Sequence, residues 1–309
     1  MADLEISAQA RPTVILVIGM AGAGKTSLMG QIEGTLKRRR AGSRSTSEAG
    51  YLINLDPAVL NLSYEPNVDI RDTVNYKNVM RQYNLGPNGG ILTSLNLFAT
   101  RFDQVIALCE KRREVPLEYV VADTPGQIEI FTWSASGAII SEAFASAFPT
   151  VIAFVVDTPR CSSPQTFIAN MLQACSIIYK TRLPLVLVFN KVDVCPHTFA
   201  TEWMQDFDAF AKALDADPSF SASFSRSLSL VLEEFYENIP SVGVSAATGE
   251  GMDELFEKID ACRDEYEREY RPVLEELQAR RQRMEQAAEE ARKAEDVERL
   301  GKDIRGLDI

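Results

Sequence analysis

Eight residues near the start of the chain have the types and spacing that bind phosphate. Gly19-Met-Ala-Gly-Ala-Gly-Lys25-Thr26 fits the pattern G-x-x-x-x-G-K-[ST], between an apolar run and a helical segment. Glycines let the backbone curl with its N–H groups inward, the lysine neutralises phosphate charge, and the threonine hydroxyl can ligate Mg²⁺. We therefore predict a phosphate-binding loop. Its predicted contact residues are Gly22, Ala23, Gly24, Lys25, Thr26 and Ser27.

A second group of polar residues follows the apolar run Leu117–Ala122. It reads Asp123-Thr-Pro-Gly126-Gln127. An aspartate at a strand end can hold Mg²⁺ through water, the Gly126 N–H can sense a γ-phosphate, and Gln127 can orient an attacking water molecule. On its own this segment would predict only a turn. Because it follows a phosphate-binding loop, we interpret it as the nucleotide switch.

A third group selects the base. Asn190-Lys191-Val-Asp193 follows an apolar run, and the Asp193 carboxylate can accept hydrogen bonds from N1–H and the exocyclic amine of guanine. Adenine has no donors in that arrangement, and a site built for a hydrogen bond strongly rejects an analogue that lacks it. Ser245-Ala246 then ends another apolar run, where backbone N–H groups can meet guanine O6. The motif order predicts GTP as substrate and GDP as product.

Short apolar runs alternate with segments that are long enough for helices. Such alternation predicts an α/β fold, in which a mostly parallel sheet is covered by helices on both faces. Ligands of such sheets bind at the carboxyl ends of the strands, where the polar motifs fall. The predicted strands are Thr13–Ile18, Tyr51–Leu55, Tyr119–Ala122, Val151–Val156, Leu185–Phe189 and Val242–Ser245.

Two segments interrupt this alternation. Residues 200–238 carry aromatic and aliphatic side chains at helical spacing, which predicts an insertion of two helices. It is either a lid or partner groove, or simply packing onto the sheet. Residues 264–299 contain 12 acidic and 8 basic residues, which predicts a solvated helix. We thus predict an N-terminal tail (1–11), a nucleotide domain (12–263) and a charged helical tail (264–309).

Composition excludes several classes of protein. The net charge of −12 disfavours nucleic-acid binding, and no apolar run is long enough to span a membrane. The one histidine, His197, is predicted to be a solvated loop residue, and the count excludes histidine triads and multi-histidine metal sites. Five scattered cysteines indicate reduced thiols, and the first residues lack signal-peptide features, so we expect an intracellular protein.

From about Pro12 to Cys262, the sequence resembles the P-loop GTPases, and more closely the GPN-loop GTPases. That family is named for a Gly-Pro-Asn tripeptide, which is Gly86-Pro87-Asn88 here. On its own, the surrounding Pro-Asn-Gly-Gly would predict a turn. The flanking segments that also match the family's blocks are Asn54-Leu-Asp-Pro-Ala58, Asp69-Ile-Arg-Asp72 and Asp123-Thr-Pro-Gly-Gln-Ile-Glu129.

The resemblance implies a Mg²⁺-dependent GTPase that forms a homodimer or a heterodimer with a paralogue. It implies that Asn88 reaches the partner's nucleotide site and that Asp56 replaces a switch threonine, acting through Mg²⁺-bound water or on the nucleophile. Gln127 and Glu129 would lie near the attacking water, although a surface carboxylate such as Glu129 is often only solvated. The resemblance therefore gives a metal set of Thr26, Asp56 and Asp123.

No arginine finger stands out in these motifs. Arg71 and Arg101 are the candidates, and we expect each of them to form a salt bridge instead.

The similarity is greatest to eukaryotic members, which implies assembly and nuclear import of RNA polymerase II, contact with its subunits, and a cytoplasmic protein that shuttles to the nucleus. Four apolar residues at the end of the chain resemble a leucine-rich signal for an export receptor, or else pack back or fray. They are Leu300, Ile304, Leu307 and Ile309.

Two other functions remain open at this point. One is a nucleotide-gated binding module with negligible turnover, and the other is a metallochaperone GTPase. The single histidine and the scattered cysteines argue against the metallochaperone.

Overall fold

The computed structural model describes residues 11–42, 48–111, 117–215 and 239–277, with 279–280, 283–284 and 286. Within them, seven parallel strands form one sheet in the order β3-β2-β4-β1-β5-β6-β7. The strands are β1 (Thr13–Gly19), β2 (Glu48–Asn54), β3 (Val68–Asp69), β4 (Leu117–Asp123), β5 (Thr150–Asp157), β6 (Leu185–Asn190) and β7 (Ser241–Val244).

Helices connect these strands, as the alternation of apolar runs predicts. They are α1 (Lys25–Gly42), α2 (Ile70–Thr73), α3 (Tyr76–Gln82), α4 (Pro87–Ala99), α5 (Phe102–Lys111), α6 (Ile128–Thr132), α7 (Ala135–Ala147), α8 (Thr158–Cys161), α9 (Pro164–Thr181), α10 (Thr198–Gln205), α11 (Phe207–Asp215) and α12 (Met252–Glu265). No helix among the described residues is long and apolar enough to cross a membrane.

The predicted α/β fold is confirmed, and all six predicted strands are present. All seven residues of β1 are buried, so both faces of the central strand are covered, which is typical of parallel sheets. On one face, α1 and α12 contribute to the core, with the Phe256 ring meeting Tyr119 edge to face at 5.0 Å. β3 was not predicted, because two residues carry no detectable pattern.

The first part of the predicted insertion packs onto the domain. The first of the two predicted helices would contain both Trp203 and Leu214, but the structure has two short helices there, α10 and α11. The chain breaks at Asp206, whose carboxylate accepts from the N–H groups of residues 208 and 209. The Trp203 and Phe210 rings contact Phe167 of α9 at 5.3 and 5.6 Å. The packing interpretation therefore holds for these helices. Residues 216–238 lie outside the described part of the chain.

The prediction for His197 is right about the loop but wrong about full solvation. Its ring is half-buried and stacks on Phe189 of β6, with centroids 6.1 Å apart. Gly243 of β7 makes room for it, since a Cβ atom there would lie 2.1 Å from the imidazole Nδ1. The polar sequence around this residue predicts a loop but not how closely the loop approaches the sheet.

The chain divides into two compact units between Tyr266 and Glu267. A π-helical turn spans Tyr266–Tyr270, and residues 271–277 are α-helical. In the second unit, the Arg271 guanidinium binds the carboxylates of Glu267 and Glu275 at 2.7 and 3.0 Å. Such pairs stabilise a polar helix by a few tenths of a kcal/mol each. The proposed export segment at residues 300–309 lies outside the described residues.

Candidate functional site

The predicted site residues meet at the carboxyl edge of the sheet. Parallel pairing aligns the end of β1 with that of β4, where Val17 is opposite Asp123, and the end of β5 with that of β6, where Asp157 is opposite Asn190. The phosphate-binding loop lies between β1 and α1, and its Gly22 and Gly24 have φ values of 85° and 88°. These left-handed conformations favour glycine, which explains the residue type at both positions.

The Lys25 side chain lies inside the phosphate-binding loop. It is 6% exposed, and its ammonium group donates to the carbonyl of Gly19 at 2.8 Å. Burial lowers the pKa of Lys25, while the negative charges of Asp123 and Asp56 act in the opposite direction. The lysine is thus held at the first turn of α1, where helix N–H groups also favour an anion.

Asp123 is the most deeply buried carboxylate of the site, at 2% exposure. Its Oδ2 accepts hydrogen bonds from Thr26 Oγ1 and Tyr64 Oη, both at 3.3 Å, whereas Oδ1 has no partner among the described residues. Burial raises the pKa of Asp123 to about 7, with Lys25 lowering it and Asp56 raising it further. The unpartnered oxygen leaves this carboxylate able to take a further ligand.

Tyr64 is a site residue that sequence reasoning missed. It is buried in the segment that follows Asp56, and burial and the charge of Asp123 raise the pKa of its hydroxyl, so this group stays a donor. The neighbouring Ser63 Oγ donates to the Thr26 carbonyl at 2.5 Å. A lone tyrosine in a polar segment gives no sequence signal. The structure shows that this segment is fastened to the phosphate-binding loop and to Asp123.

Asp56 joins the Asn54–Ala58 segment to the switch. Its Oδ1 accepts from the Ala58 N–H at 2.9 Å, and its Oδ2 accepts from the Gly126 N–H at 3.2 Å. Asn54 fixes the Asp56 backbone, accepting from its N–H at 3.0 Å and donating to its carbonyl at 3.2 Å. The Gly126 amide, which the sequence assigns to γ-phosphate sensing, therefore has Asp56 as its acceptor here.

The structure gives different results for the two candidate arginine fingers. Arg71 pairs with Asp69, with Nη2 to Oδ2 at 2.6 Å, so the predicted salt bridge is confirmed. Burial acts to raise the pKa of Asp69, but hydrogen bonds from Arg71 and Asn54 outweigh it and leave the pKa below its usual value. Arg101 is exposed and has no ion pair within the described residues.

The Gly86-Pro87-Asn88 tripeptide does not form the turn that its composition predicts. Pro87 opens α4, with Gly86 as the residue before the helix. Proline is favoured at the first helical position because its missing N–H would have no partner there. The Tyr76 hydroxyl donates to the Pro87 carbonyl at 3.2 Å, and the pKa of Tyr76 is raised by burial and by the charge of Asp56. Asn88 is exposed.

Gln127 and Glu129 flank the start of the short helix α6. Gln127 precedes its first residue and Glu129 lies in its first turn, and both side chains are exposed. Both side chains are thus accessible to water.

Asn190 is the centre of the base-binding motif. Its Nδ2 donates to the Ala23 carbonyl at 2.9 Å, and its Oδ1 accepts from the N–H groups of Lys191 and Ala246 at 2.8 and 3.1 Å. One buried amide therefore connects the phosphate-binding loop with both base motifs. The Ala246 N–H, which we predicted to meet guanine O6, has Asn190 as its acceptor in this structure.

Asp193 and Lys191 complete the base-binding motif. Asp193 is exposed, and its Oδ1 accepts from Ser245 Oγ at 2.6 Å, which orients the carboxylate. The Lys191 ammonium donates to the Gly22 carbonyl at 2.8 Å and to Asp157 Oδ2 at 2.7 Å. Asp157 was missed, although a carboxylate at the end of a buried strand was a visible signal.

No group of three or more His, Cys, Asp or Glu residues that could hold a metal ion by themselves occurs in the described part of the chain. None of the five cysteines, all of which lie in the described part of the chain, forms a disulfide bond.

Comparison with known proteins finds a matching protein family and several similar relatives. A protein-family model described as "Conserved hypothetical ATP binding protein" matches residues 17–265. GPN-loop GTPase 1 from Dictyostelium discoideum is 55% identical over 95% of this chain and 71% of its own length. GPN-loop GTPase 1 from Saccharomyces cerevisiae is 49% identical over 94% of this chain and 75% of its own length.

A solved structure is similar in fold. The apo crystal structure of a GTPase from Pyrococcus abyssi superposes with a TM-score of 0.68 and 24% identity, and the match covers 81% of this chain and 96% of that one. The phosphate-binding loop, the switch aspartate and the predicted guanine motif lie at one edge of the sheet, and the two relatives share about half of the aligned sequence. This chain therefore belongs to the GPN-loop GTPase family and is a GTP hydrolase.

Proposed function

We propose that this GTPase is Mg²⁺-dependent, acts as a dimer, and uses its nucleotide cycle in the assembly and nuclear import of RNA polymerase II. The observation that carries the nucleotide chemistry is the hydrogen-bond chain from Asp123 through Thr26, and from Ala23 through Asn190 to Ala246. These hydrogen bonds link the residues that we propose for metal, phosphate and base binding.

The residues of the proposed metal site fit Mg²⁺. This ion prefers oxygen ligands and is typically held by one or two carboxylates together with substrate phosphates. Asp123 has a buried oxygen without a hydrogen-bond partner, Thr26 Oγ1 lies 3.3 Å from the other oxygen, and Asp56 is near enough to raise the pKa of Asp123. When bound, Mg²⁺ would neutralise charge on the phosphates of GTP.

The chain's own residues would perform the remaining tasks. Lys25 holds positive charge beside the β- and γ-phosphates, where charge changes during transfer. Asp56, which is fixed by Asn54 and Ala58, would orient the nucleophile or a metal-bound water. Gln127 and Glu129 would position the attacking water by hydrogen bonds. Positioning is sufficient because phosphoryl transfer needs little base catalysis.

The surface near the Gly-Pro-Asn tripeptide supports a dimer. Three exposed apolar side chains lie on neighbouring elements: Leu92 on α4, Trp133 after α6, and Ile139 on α7. A contiguous exposed apolar patch marks a protein contact in soluble proteins, and we propose that these three side chains form one. A second copy, or a paralogue, on this surface would bring the exposed Asn88 to the partner's site.

Dimer-dependent catalysis predicts complementation between two inactive variants. Asn88→Ala should lower kcat by at least about tenfold and largely spare GTP affinity, since it removes a transition-state contact. Lys25→Ala should lose GTP binding. A mixture of the two variants should recover turnover. In the mixed dimer, the Asn88→Ala subunit keeps Lys25 and binds GTP, and it receives Asn88 from the Lys25→Ala subunit. Hydrolysis is measured by phosphate release at equal total protein.

The control mixes Asn88→Ala with a Lys25→Ala, Asn88→Ala double variant, which contains no complete composite site. Recovery in that mixture, or a specific activity that does not depend on concentration in a monomeric sample, would contradict catalysis across an interface.

The client proposal rests on the family resemblance. The hydrolysis-impaired Asn88→Ala chain should retain clients when it is purified from cells with GTP. We expect RNA polymerase II subunits, a paralogous GPN-loop GTPase, and an export receptor that depends on Leu307 and Ile309. We also propose that the protein is cytoplasmic and shuttles to the nucleus.

Recovery of metal-dependent enzymes in place of polymerase subunits would favour the metallochaperone alternative. Delivery that survives loss of hydrolysis would favour the binding module.

A further inference from the structure

Arg160 lies beside the phosphate-binding loop but belongs to none of the motifs. It is part of the short helix α8, which follows β5 directly. Its side chain is 69% exposed, and its Nε is 3.5 Å from Oδ2 of Asp157. The long distance and the exposure make this a weak ion pair.

The guanidinium of Arg160 faces Gly22. A Cβ atom placed on Gly22 would lie 3.4 Å from Nη1 and 3.6 Å from Nη2. Neither nitrogen has a hydrogen-bond acceptor within the described residues. Two terminal nitrogens of a guanidinium therefore lie against the backbone of the phosphate-binding loop with donors available.

Asp157 supplies too little negative charge to neutralise this region. Its carboxylate is 10% exposed and shares its Oδ2 between Arg160 and the Lys191 ammonium, which is 2.7 Å away. Two cations and one anion leave net positive charge at Gly22. Such an excess beside a phosphate-binding loop favours an anionic ligand.

The position of Gly22 indicates which part of the nucleotide this charge would meet. Lys191 of the base motif binds the Gly22 carbonyl at 2.8 Å, and Asn190 binds that of Ala23 at 2.9 Å. Lys25, which serves the β- and γ-phosphates, binds Gly19 at the other end of the loop. The α-phosphate lies between the guanosine and the β-phosphate, so it belongs beside the Gly22 end.

We propose that Arg160 is a nucleotide-binding residue that donates to the α-phosphate of guanine nucleotides. A guanidinium presents paired N–H groups that match phosphate oxygens, and its bonds to phosphate are charge-assisted. The inference rests on the nucleotide site proposed above and adds a third cation to Lys25 and Lys191. It assigns Asp157 the task of directing Arg160 toward the loop.

The test compares Arg160→Ala with Arg182→Ala. Arg182 is also exposed, but it lies before β6, at the opposite end of the strands from the site. Binding is measured with GDP, with the two diastereomers of GDP that carry sulfur on the α-phosphate, and with IDP, which lacks the exocyclic amine. Each diastereomer replaces a different α-phosphate oxygen, so a contact to one oxygen affects their affinities unequally.

Arg160→Ala should weaken GDP binding by about tenfold, which is the size of one charge-assisted contact in an exposed setting. The ratio of Kd values for the two diastereomers should change in this variant, while the ratio for GDP and IDP stays constant. Arg182→Ala should change none of these values.

Unchanged GDP affinity in Arg160→Ala would overturn the proposal. So would weaker GDP binding with an unchanged diastereomer ratio, or a changed GDP-to-IDP ratio, since Arg160 would then act only through the base motif. Failure of the unmodified protein to bind GDP would instead contradict the nucleotide site itself.

Discussion

Asp193→Asn is expected to weaken GTP binding by about a hundredfold or more. In the predicted base site the carboxylate would accept two hydrogen bonds from guanine, and charge-assisted bonds contribute about 1.5–3 kcal/mol each. The substituted amide keeps one oxygen, so the bond from Ser245 Oγ, which is 2.6 Å long here, can persist. Its other atom becomes an N–H donor that faces the guanine amine, and two donors repel.

The same variant should gain affinity for XTP, since xanthine has an oxygen where guanine has the exocyclic amine. Competition titrations with GTP, XTP and ATP measure both effects. Asp208→Asn is the matched control, because Asp208 is an exposed carboxylate on α11 outside the motifs. Equal affinity of the unmodified protein for GTP and ATP would refute the base assignment.

Asp123→Asn should lower the rate of GTP hydrolysis and raise the free energy of unfolding at alkaline pH. It removes the carboxylate of the proposed metal site, so Mg²⁺-dependent hydrolysis should fall by about 10²–10³-fold. Burial raises the pKa of Asp123 from 3.8 to about 7 in the folded chain. At a pH between 3.8 and about 7, Asp123 is protonated in the folded state and deprotonated in the unfolded state. The contribution of Asp123 to stability is therefore complete below about pH 4 and is lost as the pH rises through 7.

Asparagine is neutral at every pH, so the variant lacks this loss. In EDTA and without nucleotide, we expect Asp123→Asn to exceed the unmodified protein in free energy of unfolding at pH 8 by a few kcal/mol, and by much less at pH 5. Urea unfolding at both pH values measures the difference. Asp103→Asn, at an exposed position on α5, is the control. Lower stability of Asp123→Asn at pH 8 would contradict the unfavourable burial of this charge.

The sequence predicts the site residues that lie at or near the carboxyl ends of the strands. Asp123 and Asn190 are the last residues of β4 and β6, Asp193 lies in the loop after β6, and Lys25 begins the helix that follows the loop after β1. Because parallel strands end at the same edge, their meeting follows from the fold class. The fold itself was predictable from the apolar runs, since strands buried on both faces leave a continuous signal.

The contacts that were not predicted depend on the paths of loops. Tyr64 reaches Asp123 across 59 positions of sequence, and Arg160 reaches Gly22 from a separate strand end. Neither position has a residue type or spacing that specifies its partner. Pro87 shows a different error: Pro-Asn-Gly-Gly favours a turn locally, but the same proline also suits the first turn of a helix, and the apolar residues after it decide for the helix.

The bond between the Gly126 N–H and Asp56 makes two acceptors compete for one hydrogen atom. An amide N–H cannot serve the carboxylate and a γ-phosphate fully at once, and the two anions also repel each other. If the Gly126 N–H binds the γ-phosphate as the sequence predicts, GTP must displace Asp56 from Gly126, whereas GDP, which has no γ-phosphate, leaves the bond in place. The free energy of this bond reduces the affinity for GTP relative to GDP. The bond between Gly126 and Asp56 forms again when the γ-phosphate departs, so this contact stabilises the GDP-bound state over the GTP-bound state.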